Sequence, residues 1–238
     1  MKIIDFPQGS VDWLASRAGK VTASRMSDVL ATIKSGEAAA RRDYKAQIVA
    51  EILTGRPQED GYINAEMQFG IETEPLARAA YEAATGEIVE QVGLVIHPAI
   101  DRAAASPDGL VSDSGLVEIK CPKVATHLNY ILDGVVPSKY QPQMLWQMAC
   151  CERRWCDFVS FRPDLPVELQ LFIVRFQRDQ QRITAMESSA QAFLAEVDAL
   201  LARLHHHMTD PSAQPSRSAP SLVDATLSPA GAAGLVEQ

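Results

Sequence analysis

Asp108, Glu118 and Lys120 are the residues of this chain whose types and spacing best suit chemistry. They stand in Ser106-Pro107-Asp108-Gly109-Leu110 and Glu118-Ile119-Lys120. If residues 115–120 form a strand, its period of two puts Glu118 and Lys120 on one face and Val117 and Ile119 on the other. Asp113, Ser114 and Gly115 supply a turn, and a hairpin across it sets Asp108 beside Glu118. Carboxylate oxygens are hard ligands suited to Mg²⁺, which keeps several waters and takes one or two protein carboxylates besides phosphate oxygens. A cation so held lowers the pKa of a water and offsets charge developing at phosphorus, while an ammonium steadies an oxyanion. The trio reads as a metal-dependent phosphodiesterase site. By residue type alone a surface hairpin carrying a weak exposed ion pair is the better reading, because so short a pattern recurs by chance.

The elements that must position these residues follow from periodicity and stop signals. Helices are expected near 10–17, 22–31, 38–54 and 64–85, then strands near 87–97, 102–106, 109–112 and 115–121. Helices near 124–133 and 138–151, strands near 155–161 and 167–176, and a helix near 179–204 complete the path. Helices before and after a mixed central sheet make an α/β sandwich. The core face of the 38–54 helix is expected to be Tyr44, Ile48, Val49, Ile52 and Leu53, and the 64–85 helix is expected to carry Met67, Ile71, Ala77, Ala80 and Tyr81 roughly on one face, with Gly86 as its stop. Glu74 lies inside that helix, and Pro75 after it predicts a kink or restart, since the backbone bond to Ile71 is lost.

Further motifs stand in a telling order: Trp13 with Arg17, Val21-Thr22-Ala23-Ser24, Gly70 with Glu74, the two metal motifs extended by Cys121-Pro122, and Tyr140 with Gln143. On these the chain resembles the phage lambda exonuclease family, the YqaJ-type viral recombination (alkaline) exonucleases of the PD-(D/E)xK nuclease superfamily. The resemblance implies a restriction-endonuclease-like fold with a central mixed sheet flanked by helices. It implies that Asp108 and Glu118 hold metal with the Ile119 carbonyl, that Lys120 is the catalytic lysine, that Glu74 stands near a second metal or the nucleophilic water, and that Gln143 supports the site. Arg17, Ser24 and Ser106 correspond to a 5′-phosphate pocket, Lys34 to a basic loop residue touching DNA, and Met67 to an apolar wedge between terminal base pairs. Implied with them are two Mg²⁺ ions, with Mn²⁺ as a substitute, a linear duplex with a 5′-phosphate end, a single-strand annealing protein as partner and a homotrimeric ring. The expected activity is 5′ to 3′ digestion of double-stranded DNA, releasing 5′-mononucleotides and leaving 3′ single strands for recombination. An endonuclease on the same core, or a catalytically silent DNA-end-binding protein, are the alternatives. Pro75 beside Glu74 departs from the family pattern.

The chain has 238 residues, of which 47% are hydrophobic, and a net charge of −8. Residues 1–208 are expected to form the nuclease domain, and the Pro/Ser/Ala-rich segment 209–238 a disordered tail. No apolar run reaches membrane-span length and the first residues lack a signal-peptide core, so the expectation is a cytoplasmic protein with no membrane contact. Cys121, Cys150, Cys151 and Cys156 show no paired zinc-ligand spacing and read as buried thiols, with neither disulfide nor structural metal expected. His205, His206 and His207 suit a helix C-terminus. The acidic balance is unusual for a nucleic-acid enzyme. Arg17, Lys20, Arg25, Lys34, Arg41, Arg42 and Lys45 gather in the first fifth of the chain, so a basic N-terminal arch facing DNA is expected, the alternative being that Arg41, Arg42 and Lys45 only decorate a solvated helix face.

Overall fold

The computed structural model describes residues 1–58 and 64–210. In chain order these form β1 (Lys2–Ile4), α1 (Val11–Arg17), β2 (Val21–Thr22), α2 (Met26–Val29), α3 (Ala39–Thr54), α4 (Ala65–Thr85), β3 (Val89–Glu90), β4 (Leu94–Ile96), β5 (Ala103–Ala105), β6 (Gly109–Val111), β7 (Gly115–Lys120), α5 (Val124–Asp133), α6 (Gln141–Cys150), β8 (Trp155–Phe161), β9 (Leu171–Gln177) and α7 (Gln180–Thr209). The strands make a four-stranded sheet in the order β1-β4-β5-β2 and a five-stranded sheet in the order β3-β6-β7-β8-β9. In the larger sheet β7 and β8 run parallel and the other neighbours antiparallel, so the sheet is mixed.

Helices cover both faces of the larger sheet, the restriction-endonuclease-like arrangement. On one face Ala77 and Tyr81 of α4 pack on Val111, Val117, Ile119, Val159 and Phe161. On the other, α6 and α7 bring Met144, Leu145, Met148, Ile183 and Phe193 against Leu110, Leu116 and Phe158. Full burial of Met144, Leu145 and Met148 alone is worth roughly 5–9 kcal/mol before entropy, at about 1.5–3 kcal/mol each. The helix carrying Gln143 is therefore a firm support. Tyr81 also donates to Asp157 Oδ2 (2.8 Å), a buried carboxylate held from its other side by the Arg175 guanidinium at 2.8 and 2.9 Å.

Local signals set many boundaries. Ser10 caps α1 by accepting the Trp13 N–H, Asn64 caps α4 by accepting the Met67 N–H, and Gly86, at φ 73°, ends α4 as expected. Three expectations about these elements fail, each for a tertiary reason. Residues 22–31 divide into β2, a 3₁₀ turn over Ala23–Arg25 and α2, because Val21 and Thr22 pair with β5 and the Thr22 N–H donates to Tyr44 Oη. Residues 87–97 divide between the two sheets: a Cβ on Gly93 would meet Ile4 O at 2.3 Å, so only glycine lets β1 approach so closely. On α3, Ile52 and Leu53 are exposed while Lys45 and Glu51 are buried. Glu51 accepts the Gly19 N–H (2.7 Å) and the Gln47 amide (3.0 Å), and Lys45 meets Glu37 and Glu196, so polar partners and not apolar area decide that face. At Pro75 the chain does not restart: α4 continues through it, with Pro75 on the exposed side near Ile71, where water can serve the released carbonyl.

By contacts the chain divides into Met1–Leu201, which holds both sheets, and Ala202–Gln238. In the second unit, described to Asp210, the end of α7 has Thr209 Oγ1 donating to the His205 carbonyl at 3.0 Å. The expected tail lies outside the described residues from position 211. Cys150, Cys151 and Cys156 are buried free thiols and Cys121 is half-buried. Among the described residues no helix is long and apolar enough to cross a membrane.

Candidate active site

The hairpin forms with Gly109 opposite Val117 and Val111 opposite Gly115, which delivers Asp108, just before β6, to the end of β7. The Ile119 N–H donates to Asp108 Oδ2 at 2.6 Å. Glycine is required at 109 because a Cβ would lie 2.1 Å from Val89 Cγ1 on the neighbouring strand. Along β7 the side chains alternate as expected: Val117 and Ile119 turn toward α4, while Glu118 turns toward α6. The Glu118 side chain is 0% exposed. Its Oε1 pairs with the Lys120 ammonium and accepts from Gln143 Nε2 (2.6 Å), and its Oε2 accepts from Gln147 Nε2 (2.6 Å).

The electrostatics couple the buried carboxylates to the Lys120 ammonium. Burial pushes the Asp108 carboxyl well above the usual range, Glu118 adds to the push, and Lys120 opposes it. Burial works against the Lys120 ammonium, but Glu118 and then Asp108 outweigh it and hold its pKa above the ordinary lysine value. Burial raises the Glu74 carboxyl too, against the pull of Arg78, which it meets at 2.5 Å, and of Lys120. The available donors, the carboxylates of Asp108, Glu118 and Glu74 and the Ile119 carbonyl, are all oxygens and fit a hard divalent cation. Among the described residues no three His, Cys, Asp or Glu side chains draw close enough to hold a metal unaided. Cys121 next to Lys120 stays a thiol, its pKa pushed up to about 11 by burial first and by Glu74.

Two hollows flank this centre. A cavity of about 160 Å³ is lined by Gln8, Trp13, Arg17, Thr22, Ser24, Ser106 and Gln143, so Arg17, Ser24 and Ser106 do converge. Trp13 Nε1 donates to Ser106 Oγ (2.9 Å), and the Arg17 guanidinium lies 4.2 Å over the Trp13 ring. A larger cleft of about 740 Å³ runs past Ile119 and Lys120 and is bordered by Met67, Gly70, Ile71, Glu74, Lys123 and Lys139. Met67 and Ile71, expected to share a face with Ala77 and Tyr81, line this cleft, and Met67 is 50% exposed, while Ala77 and Tyr81 further along α4 carry the packing. Lys34 sits in an exposed loop and lines neither hollow.

The expected basic arch is largely neutralised in place. Arg41 and Lys45 both meet Glu37 and Glu196, Arg25 meets Asp28, and Arg42 meets Asp43. Lys45 is 8% exposed, which also overturns the alternative that it decorates a solvated face. Glu196 from α7 and Glu37 from the 32–37 loop serve Arg41 and Lys45, while Asp28 and Asp43 are sequence neighbours of Arg25 and Arg42; nothing near Lys45 in sequence announces Glu196.

Gln147 and Gln8 escaped the sequence analysis. Gln147 follows Gln143 by one helical turn, a spacing that marks a shared face once Gln143 is recognised. Gln8 donates to the Val92 and Pro107 carbonyls at 3.0 and 2.8 Å, pinning the segment that leads into Asp108, and no local signal foretells that reach.

Comparison with known proteins agrees with this geometry. No curated protein matches the chain. Solved structures do. The crystal structure of LHK-Exo in complex with dAMP is 46% identical, with a TM-score of 0.78 over 84% of this chain and 98% of that one. That of an alkaline exonuclease (LHK-Exo) from Laribacter hongkongensis is 47% identical, with a TM-score of 0.77 over 84% and 98%. A phage related exonuclease from Haemophilus somnus 129PT, at 17% identity, shares the fold with a TM-score of 0.64 over 78% and 96%. The profile of the YqaJ-like viral recombinase domain matches residues 12–154, the span from α1 through the β6–β7 hairpin to α6, and the chain belongs to that family.

Proposed function

We propose that the protein is a DNA exonuclease that digests linear duplex from 5′-phosphate ends in the 5′ to 3′ direction with Mg²⁺, releasing 5′-mononucleotides and leaving a 3′ single strand for an annealing partner. The observation that carries the reading is that Gln143 lines the Arg17–Ser24–Ser106 cavity and also bonds Glu118. A pocket suited to a terminal phosphate, with a guanidinium fork and two hydroxyls, thus adjoins a pair of metal-seeking carboxylates. An enzyme cutting within a strand has no use for such a pocket, which favours end-directed digestion over the endonuclease alternative. A ring-shaped trimer around DNA is part of the same reading and accounts for processive digestion.

In this reading each side chain has a defined task. Bound divalent cations would supply a water of lowered pKa and offset charge at phosphorus. Asp108, Glu118, Glu74 and the Ile119 carbonyl are the oxygen ligands. Lys120, held protonated by Glu118 and Asp108, serves as donor and positive charge to the oxygens at the reacting phosphate and not as a base. Arg17, Ser24 and Ser106 anchor the terminal phosphate. Met67, exposed at the cleft, is placed to part the last base pair, and Lys34 steers the duplex from its loop. The test compares linear with closed circular duplex, each with and without Mg²⁺, and linear duplex with its 5′-phosphate kept or removed. Mononucleotide release from phosphorylated linear DNA in Mg²⁺ alone is expected. Cleavage of closed circles would replace this reading with the endonuclease, and no cleavage of either would leave the silent end-binding protein.

A further inference from the structure

We propose that Gln147 is a positioning residue that orients the Glu118 carboxylate for cation uptake; the proposal rests on the metal-dependent reading above. An ionised carboxylate offers about four lone-pair positions. On Glu118, Gln143 and Lys120 engage Oε1 and Gln147 engages Oε2, which leaves one position, on Oε2, beside the Gln147 bond. Gln143 and Gln147 stand one turn apart on α6, so a single helix face grips both oxygens and fixes the plane of the carboxylate. A neutral amide does this without cancelling the negative charge a cation needs, which Lys120 alone would do.

Packing does not account for the residue. Gln147 is 0% exposed, and its Oε1 has no hydrogen-bond partner among the described residues. A buried carbonyl left unpaired is unfavourable, and a methionine of similar length would avoid it, so the bond to Glu118 is what offsets keeping an amide there. The amide cannot turn over to relieve the orphaned oxygen, because that would set its carbonyl against the carboxylate.

The test uses the full chain without DNA and reads Mn²⁺ affinity by calorimetry alongside melting of the metal-free protein. Gln147→Met removes the donor at nearly constant volume, and Gln147→Asn keeps an amide but withdraws it by about one methylene. Supporting groups of this kind typically change metal affinity by about 10- to 100-fold, and that loss is expected in both variants, with a metal-free melting temperature for Gln147→Met at or above wild type. Met148→Ala, on the same helix and also buried, should melt lower and bind Mn²⁺ as wild type does. Wild-type affinity in Gln147→Asn overturns the proposal, whether or not Gln147→Met folds. If Asp108→Ala also binds Mn²⁺ normally, the metal-site reading itself has failed; if Asp108→Ala loses binding and the Gln147 variants do not, only the role of Gln147 falls.

Discussion

Replacing Arg17 with alanine separates end recognition from catalysis. The guanidinium sits 4.2 Å over Trp13, whose indole N–H in turn holds Ser106 Oγ, so Arg17 is stacked at the wall of the cavity it shares with Ser24. A hydrogen bond to a charged group is worth about 1.5–3 kcal/mol. At about 1.4 kcal/mol per decade, Arg17→Ala should slow digestion of phosphorylated ends roughly ten- to a hundredfold. The contact does not exist on 5′-hydroxyl ends, so there the mutant and wild type should run at similar rates. Losing the ring stacking costs about 0.5–1 kcal/mol of stability, which both substrates feel alike and which a melting curve measures separately. Arg17→Lys keeps the charge, loses the fork and should fall between the two. The assay is kcat/KM on paired linear duplexes that differ only in the 5′ group. An unchanged ratio of phosphate to hydroxyl rates in Arg17→Ala would refute the argument and return Arg17 to a structural role.

Asp108→Asn should abolish hydrolysis while the metal-free protein melts no lower than wild type, because burial and Glu118 already disfavour a charge at this position and the amide oxygen can still accept the Ile119 N–H; a large fall in melting temperature would contradict this. Glu196 is held at a pKa of about 2, below its ordinary 4.5, by hydrogen bonds from Arg41 first and then Lys45. Its folded pKa is depressed, so its contribution is complete above about 4.5 and is lost as pH falls toward about 2. Glu196→Gln should therefore melt lower than wild type at neutral pH, with the gap closing across that acid window, and a gap independent of pH would disprove the linkage. Tyr81→Phe deletes the donor to buried Asp157 and should cost about 1.5–3 kcal/mol in urea unfolding at an unchanged m value. Activity per folded molecule should stay near normal.

What could be read in advance was whatever local chemistry decides. The alternation along 115–120 needs only the period of a strand, and Asp108 follows once Ser114 and Gly115 make a turn. Asn64 and Gly86 bound α4 through backbone groups within a few residues. The failures share a different cause. Thr22 is drawn into a strand by Ala104 and by Tyr44, and Gly93 is a glycine because Ile4 passes against it. Lys45 is buried because Glu196, on a helix at the other end of the chain, comes to meet it. Glu118 was legible as a ligand from its motif, whereas Gln147 acquires meaning only when α6 is laid across β7.

Gln143 touches both the phosphate cavity and Glu118. On the proposed reading this makes α6 a gauge: an anchored 5′-phosphate and the bond to be cut are separated by the reach of one side chain on a helix whose other side is locked in the core. The proposed mononucleotide product requires that this span take one nucleotide. The unit of digestion is then a length built into the helix and not a product of timing, so slowing the chemistry should leave the product a mononucleotide, whereas lengthening the reach at position 143 would be the way to make the enzyme miscount.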